Sequence, residues 1–213
     1  MKQIDLIIFD LDGTLVDSQK DIIKAVKFSL KTLRVAEKPD AEISVFIGTG
    51  VEDLIRKSLG TSLELFKRAL EIFTQYYGEH FMDTTVLYPG VKETLEHFKN
   101  KKMAVVTNKN RHIAIQTLKA FGIADYFSDI LGGDDVGCRK PSSCPLDMVI
   151  QKHNAKKERA AIVGDMAIDV LAGKQAGIVT CAVTYGIGKK EDIIKAKPDF
   201  IISDIRELSG MIA

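Results

Sequence analysis

Only three cysteines occur in 213 residues, Cys138, Cys144 and Cys181, too few and too scattered for a disulfide scaffold. Reduced, unpaired thiols are expected, although Cys138 and Cys144 flank a candidate loop and would be placed for a regulatory redox pair. Histidine is almost as scarce: His80, His97, His112 and His153 form no HxH or HxxxH pair, so no zinc site is expected. Neither sign of charge dominates, and a net +1 gives no electrostatic case for nucleic acid or an anionic membrane. No apolar run approaches the ~18 residues that span a bilayer. Acids at Asp5, Asp10 and Asp12 interrupt the N-terminal apolar segment, which therefore does not read as a signal peptide. What remains, 46% hydrophobic and 28% charged residues, is the composition of an ordinary globular protein. A cytoplasmic chain is expected, with room for one large domain or a core plus a smaller one.

The stretch around which the rest is organised is Leu6-Ile7-Ile8-Phe9-Asp10-Leu11-Asp12-Gly13-Thr14. Four apolar residues without helical spacing read as a strand buried on both faces. The strand runs directly into two acids, and burying carboxylates there is costly without a compensating cation or hydrogen bonds. Residues two apart on a strand share a face, so Asp10 and Asp12 could point into one small volume. Taken alone, the same letters also describe an acidic turn.

From Asp17 to Thr85 no strand pattern appears, only helical stripes: Ile22, Val26, Leu30 and Leu33, then Val51, Leu54, Ile55 and Leu59, then Leu63, Phe66, Leu70, Phe73 and Tyr77. Ser18 is placed to cap the first of these helices and Ser62 the last. The aromatic stripe from Phe66 to Phe81 is expected to fill the core of this helical insert rather than to bind. From Tyr88-Pro89-Gly90 onward helices alternate with apolar strands at Met103–Thr107, Phe127–Leu131, Ala161–Val163, Val179–Val183 and Phe200–Ile202. Gly177 marks a helix stop. Such alternation predicts an α/β fold with a doubly wound parallel sheet, whose ligands bind beyond the carboxyl ends of the strands. The expected division is a core of residues 1–15 and 86–213 with a small all-helical cap of residues 16–85.

Four polar stations fall at strand ends or in loops: Asp10 to Thr14, Thr107-Asn108-Lys109, Arg139-Lys140-Pro141, and Gly164-Asp165 through Asp169. Acids, a hydroxyl, an amide and a lysine together suit phosphoryl transfer assisted by a divalent metal. A carboxylate approaches a phosphate dianion only if a cation cancels their repulsion. One carboxylate would then attack phosphorus, a second would protonate the leaving oxygen, and Thr107, Asn108 and the N–H groups at Gly13 and Thr14 would bind phosphate oxygens. The glycine-bracketed Gly48-Thr49-Gly50 is a candidate substrate loop, with Lys109, Arg56, Lys57, Asp134 and Asp135 as lesser candidates.

These four motifs, in this order, resemble those of the haloacid dehalogenase superfamily of phosphohydrolases over nearly the whole chain. The resemblance implies that Asp10 is the nucleophile and Asp12 the general acid/base. It also implies that Asp10, the backbone carbonyl of Asp12 and Asp165 hold Mg²⁺, that Lys140 neutralises Asp10 and phosphate, and that Asp169 supports them. Phe46-Ile47-Gly48-Thr49-Gly50, Val106-Thr107-Asn108-Lys109, Gly132-Gly133-Asp134-Asp135-Val136 and Thr184-Tyr185-Gly186 are similar to the phosphoglycolate phosphatase-like branch. Met166 and Ser143 depart from the pattern, where Ser or Thr and Pro are usual. The implied activity is Mg²⁺-dependent hydrolysis of a small phosphorylated metabolite through an aspartyl-phosphate, 2-phosphoglycolate first, by a monomer or homodimer. The rivals are a sugar phosphomutase of the beta-phosphoglucomutase type and a phosphoacceptor signalling module.

Overall fold

The computed structural model describes all 213 residues. The chain opens with β1 (Leu6–Phe9) and a two-residue strand β2 (Val16–Asp17). It then forms four helices, α1 (Gln19–Thr32), α2 (Asp40–Ser44), α3 (Val51–Leu59) and α4 (Phe66–His80), and returns through β3 (Val86–Leu87). There follow α5 (Val91–His97), β4 (Lys102–Val106), α6 (Arg111–Ala120), β5 (Asp129–Leu131), α7 (Cys144–Lys152) and β6 (Ala160–Gly164). The last elements are α8 (Ala167–Ala176), β7 (Val179–Val183), α9 (Lys190–Ala196), β8 (Phe200–Ile202) and α10 (Leu208–Met211). No helix is long and apolar enough to cross a membrane.

The alternating strands form one six-stranded sheet, order β5-β4-β1-β6-β7-β8, in which every neighbouring pair is parallel. β1 lies in the middle, Ile8 facing Ala104 on one side and Ile162 on the other. Its side chains alternate between the sheet's two faces: Ile7 and Phe9 enter one apolar cluster, Leu6 and Ile8 the other. A strand covered on both sides must be apolar throughout, which is why it reads as an unbroken run.

The helices α1 to α4 pack on one another around a separate cluster that includes Ile22, Val26, Leu54, Phe73 and Tyr77. The short antiparallel β2–β3 pair joins this helical insert to the sheet. Asp21 ties the junction: its buried carboxylate accepts from the N–H and hydroxyl groups of both Thr84 and Thr85. This anchor, the two short strands and the short helices α2 and α9 carry too little apolar pattern to be read from the sequence.

Three expectations are corrected. Ser18 does not cap α1 with its side chain; its hydroxyl donates to Asp12 Oδ1 at 2.5 Å. Ser62 caps nothing either, and a single 3₁₀ turn over Leu63–Leu65 precedes α4. Cys138 and Cys144 are not reduced: they form a disulfide, because the loop between them doubles back and brings their Cα atoms to 6.3 Å. The helix stop at Gly177 holds, with φ of 73°. Cys181 is free and buried. Thiol titration of the denatured protein is therefore predicted to find one reactive cysteine before reduction and three after. Three at both stages would contradict the pairing.

Candidate active site

β1, β4 and β6 deliver three of the polar stations to the same edge of the sheet, and the loop before α7 brings the fourth. β1 ends as the Asp10 N–H donates to Val163 O, which sets Asp10 beside the end of β6. Lys140 reaches into this gap fully buried, its Nζ 2.9 Å from Asp10 Oδ1 and 2.7 Å from Asp169 Oδ1. The 2.9 Å approach is off the hydrogen-bonding direction, so Asp10 Oδ1 is buried with no donor of its own. Asp169 uses its other oxygen to accept from the Met166 N–H at 3.0 Å. Asp165 accepts from the Thr14 hydroxyl and from the N–H groups of Ile187 and Gly188.

Gly13 is required here: its φ is +86°, and a Cβ on it would stand 2.2 Å from Asp165 Oδ2. A side chain at Gly186 would collide with Asp165 as well. The backbone has closed tightly around one carboxylate.

Burial raises the Asp10 carboxyl to about 6, with the Lys140 ammonium opposing and the Asp169 charge adding to the rise. Burial raises Asp165 further, to about 8, helped by the negative charges of Asp169 and Asp10. Burial acts against the Lys140 charge, but the two carboxylates beside it overcome that and hold its pKa above the ordinary value. With all groups ionised, Asp10, Asp165 and Asp169 face one lysine, leaving two negative charges uncompensated. Carboxylate oxygens of these three lie within 4.8 Å of one another. An all-oxygen donor set, a double charge deficit and an orphaned oxygen on Asp10 fit a hard divalent cation such as Mg²⁺. The Asp12 carbonyl accepts no hydrogen bond within the protein and is a further oxygen donor.

Asp12 stands apart from that cluster. Its Oδ1 accepts from Ser18 and, at 2.7 Å, from Lys109 Nζ, which also bonds the Tyr77 hydroxyl of α4 at 2.6 Å. Burial acts against the Lys109 charge, but Asp12 and Tyr77 together raise its pKa, while burial pushes the Tyr77 phenol to about 12. A chain of contacts thus runs from the helical insert to Asp12. In the sequence Lys109 is only a lesser candidate and Tyr77 reads as core. Tyr77 and Phe73 are both buried in the insert and line the cavity over Asp10. The fold bringing α4 over β4 is what reveals this, and no local spacing encodes it.

Thr107 and Asn108 follow β4 as expected. The Asn108 side chain, however, is spent on the fold: Oδ1 accepts from the Lys140 N–H, and Nδ2 donates to the carbonyls of Lys140 and Gly48. It clamps the Lys140 loop and the Gly48 turn together. The expectation that Gly13 and Thr14 offer N–H groups to phosphate is corrected, because those groups close the turn by donating to Val16 O and Leu11 O. The N–H groups of Asp12 and Asn108 meet no protein acceptor instead.

Gly48 and Gly50 do lie at the cavity, and Met166 packs against Gly48, where a Cβ would sit 2.3 Å from its sulfur. Asp134 and Asp135 serve the loop itself, accepting from the Arg111 and Gly132 N–H groups. Arg56 covers the Phe66 ring and Lys57 pairs with Asp53, both outside the cavity lining.

A parallel sheet of this strand order, with acids at the carboxyl edge and a helical insert after the first strand, is a Rossmann-like core of the kind that capped phosphohydrolases use. The haloacid dehalogenase-like hydrolase family model matches residues 7–183, and the chain belongs to that family. It is 35% identical to a phosphoglycolate phosphatase of Vibrio parahaemolyticus, over 100% of this chain and 97% of the other. It is 36% identical to one of Haemophilus influenzae, over 99% of each chain. Among solved structures, a predicted phosphoglycolate phosphatase from Haemophilus somnus superposes with a TM-score of 0.93 at 33% identity, covering 99% of both chains. A haloacid dehalogenase-like hydrolase from Streptococcus pneumoniae reaches 0.89 at 28% identity, covering 98% of both.

The raised Asp165 has a thermodynamic consequence. Between the ordinary carboxylate range, near 4, and about 8, the folded protein keeps a proton that the unfolded chain releases, so stability falls as pH rises across that window. Asp165→Asn removes the cost while its amide still serves the same partners. In EDTA, the variant is predicted to melt at least about 5 °C above the parent at pH 8 and close to it at pH 4. An equal offset at both pH values would contradict the assignment.

Proposed function

We propose that the chain is a phosphatase of small phosphate monoesters in which Asp10 forms an aspartyl-phosphate. The observation that carries this is Asp10 Oδ1, buried, without a hydrogen-bond donor, and lying on the floor of a cavity beside a lysine. A carboxylate kept ionised by an ammonium 2.9 Å away, on the floor of a cavity, is placed to attack phosphorus. Asp10, Asp165 and the Asp12 carbonyl would hold Mg²⁺, which when bound neutralises phosphate and acid charge.

Lys140 stabilises the ionised Asp10 and the phosphate beside it. The N–H groups of Asp12 and Asn108 and the Thr107 hydroxyl receive the non-bridging phosphate oxygens. As Asp10 bonds to phosphorus, the ester bond breaks and its electron pair leaves with the alcohol oxygen, which takes a proton from Asp12. Asp12, held by Ser18 and Lys109 through one oxygen only, keeps Oδ2 for that transfer. It then withdraws a proton from the water that attacks phosphorus and restores Asp10.

The names of the relatives make 2-phosphoglycolate the first substrate to assay. In this reading residues 16–85 act as a cap that excludes bulk water. Water, rather than a sugar hydroxyl, accepts the phosphoryl group in this reading. Asp12 beside the acceptor favours turnover over a long-lived phosphoprotein.

With Mg²⁺ present, Asp10→Asn is predicted to lower phosphate release at least about a thousandfold. EDTA is predicted to abolish release reversibly. A variant retaining near-parental rates, or full activity after chelation, would overturn the scheme.

A further inference from the structure

Three polar residues at the rim of the cavity above Asp10 are weak partners for a substrate. Thr74 and His112 are exposed, so what they gain from a ligand they largely lose from water. The Asn110 side chain is already committed to Asp134 and to the Ile113 N–H. Lys109 and Tyr77 differ on both counts. The Lys109 side chain is 7% exposed and Tyr77 6%, and both line the cavity beside Asp12. The ammonium has three N–H donors and spends two, on Asp12 Oδ1 at 2.7 Å and on the Tyr77 hydroxyl at 2.6 Å. The hydroxyl accepts there, and its own hydrogen meets no acceptor in the protein. Two buried donors are thus left without acceptors, on atoms 2.6 Å apart. Such a pair matches the two oxygens of one carboxylate, and Lys109, the single lysine or arginine in the lining, brings a positive charge to it.

We infer that Lys109 and Tyr77 together bind a carboxylate attached to the carbon that bears the ester oxygen. The preferred substrates are then phosphate esters of 2-hydroxy acids, of which 2-phosphoglycolate is the smallest. This rests on the phosphatase reading and names the residues that select its leaving group. Asp12, which hands its proton to the ester oxygen in that reading, touches Lys109 directly. A group held by Lys109 therefore lies next to that oxygen, where a carboxylate one carbon away is within reach. The apolar walls, among them Ile22, Leu54, Phe73 and Ile113, would strip water from an acid seated against them and give nothing back. One of the two donors comes from α4 of the insert and the other from the loop after β4. The reaction is hydrolysis: the phosphorus–oxygen ester bond breaks, Asp12 supplies the alcohol's proton, and water supplies the oxygen that releases phosphate from Asp10.

The test is kcat/KM with Mg²⁺ for three esters. They are 2-phosphoglycolate; ethyl phosphate, in which a methyl group replaces the carboxylate; and the phosphate ester of 3-hydroxypropionate, whose carboxylate stands one carbon further out. In the parent, 2-phosphoglycolate is expected at least about a hundredfold above ethyl phosphate, with the longer acid between them. Tyr77→Phe, which removes only the hydroxyl, is expected to lower the ratio of 2-phosphoglycolate to ethyl phosphate about tenfold, and Lys109→Met further, about a hundredfold. Partial misfolding lowers both rates alike, and weaker proton donation burdens the more basic ethanol more. Only a lost carboxylate contact lowers the ratio. If neither variant folds, the three esters on the parent protein still decide. A parental ratio near one, the longer acid ahead of 2-phosphoglycolate, or a ratio that either folded variant leaves unmoved overturns this inference and leaves the phosphatase reading standing. No phosphate from these esters or from p-nitrophenyl phosphate overturns both.

Discussion

The ion cluster of Lys140 between Asp10 and Asp169 is the constraint that the core is arranged to satisfy. All three groups are buried, and each charge would be untenable alone. Truncating the lysine would leave the carboxylates without a cation in a poorly hydrated space, and truncating Asp169 would leave Lys140 with Asp10 as its one direct ion-pair partner. The surrounding chain holds the cluster from several directions. Asn108 grips the Lys140 main chain on both its N–H and its carbonyl, while the Met166 N–H at the start of α8 anchors Asp169. The loop holding Lys140 is closed on itself by the Cys138–Cys144 bond. A parallel sheet is suited to this, because β1, β4 and β6 end at one edge and bring distant polar segments together there.

The same constraint explains why the site is incomplete as a set of protein charges. Three acids against one lysine leave a charge deficit that a divalent cation would relieve, and burial meanwhile pushes the Asp165 carboxyl up to about 8. Binding a cation would therefore displace a proton as well as fill a space. Asp12 belongs to a different electrostatic neighbourhood. It answers to Ser18, Lys109 and, through Lys109, to Tyr77 of the helical insert. Movement of α1–α4 against the sheet would be felt at Asp12 and at Gly48, where Asn108 crosses from core to insert. Two neighbouring acids thus sit in different surroundings, as the separate roles proposed for them require.

Much of this was legible from letters alone. The central strand is an unbroken apolar run because both its faces are covered, and the acids after it stand out because a buried strand end is an expensive place for them. Lys140, Asp165 and Asp169 were found by order and spacing. The rest needed three dimensions. That Ser18 bonds Asp12 instead of capping α1, that Asn108 spends its amide on the Lys140 loop, and that Tyr77 reaches Lys109 across 32 positions are pairings of distant segments. No periodicity reports them. The free N–H group lies at Asp12, one residue before the Gly13-Thr14 pair, because a turn's internal hydrogen bonds are invisible in a motif. The cysteine pair was misjudged because composition speaks to scaffolds, whereas the proximity of two particular thiols depends on how one short loop closes.

The proposed chemistry requires Asp10 to carry the phosphoryl group. Rapid quenching of the working enzyme, followed by borohydride reduction and peptide mapping, reads this directly, since an aspartyl-phosphate is reduced to homoserine. Homoserine at position 10, appearing only with Mg²⁺ and a phosphate ester, is the predicted result. Label at another residue, or none during steady turnover, would contradict it.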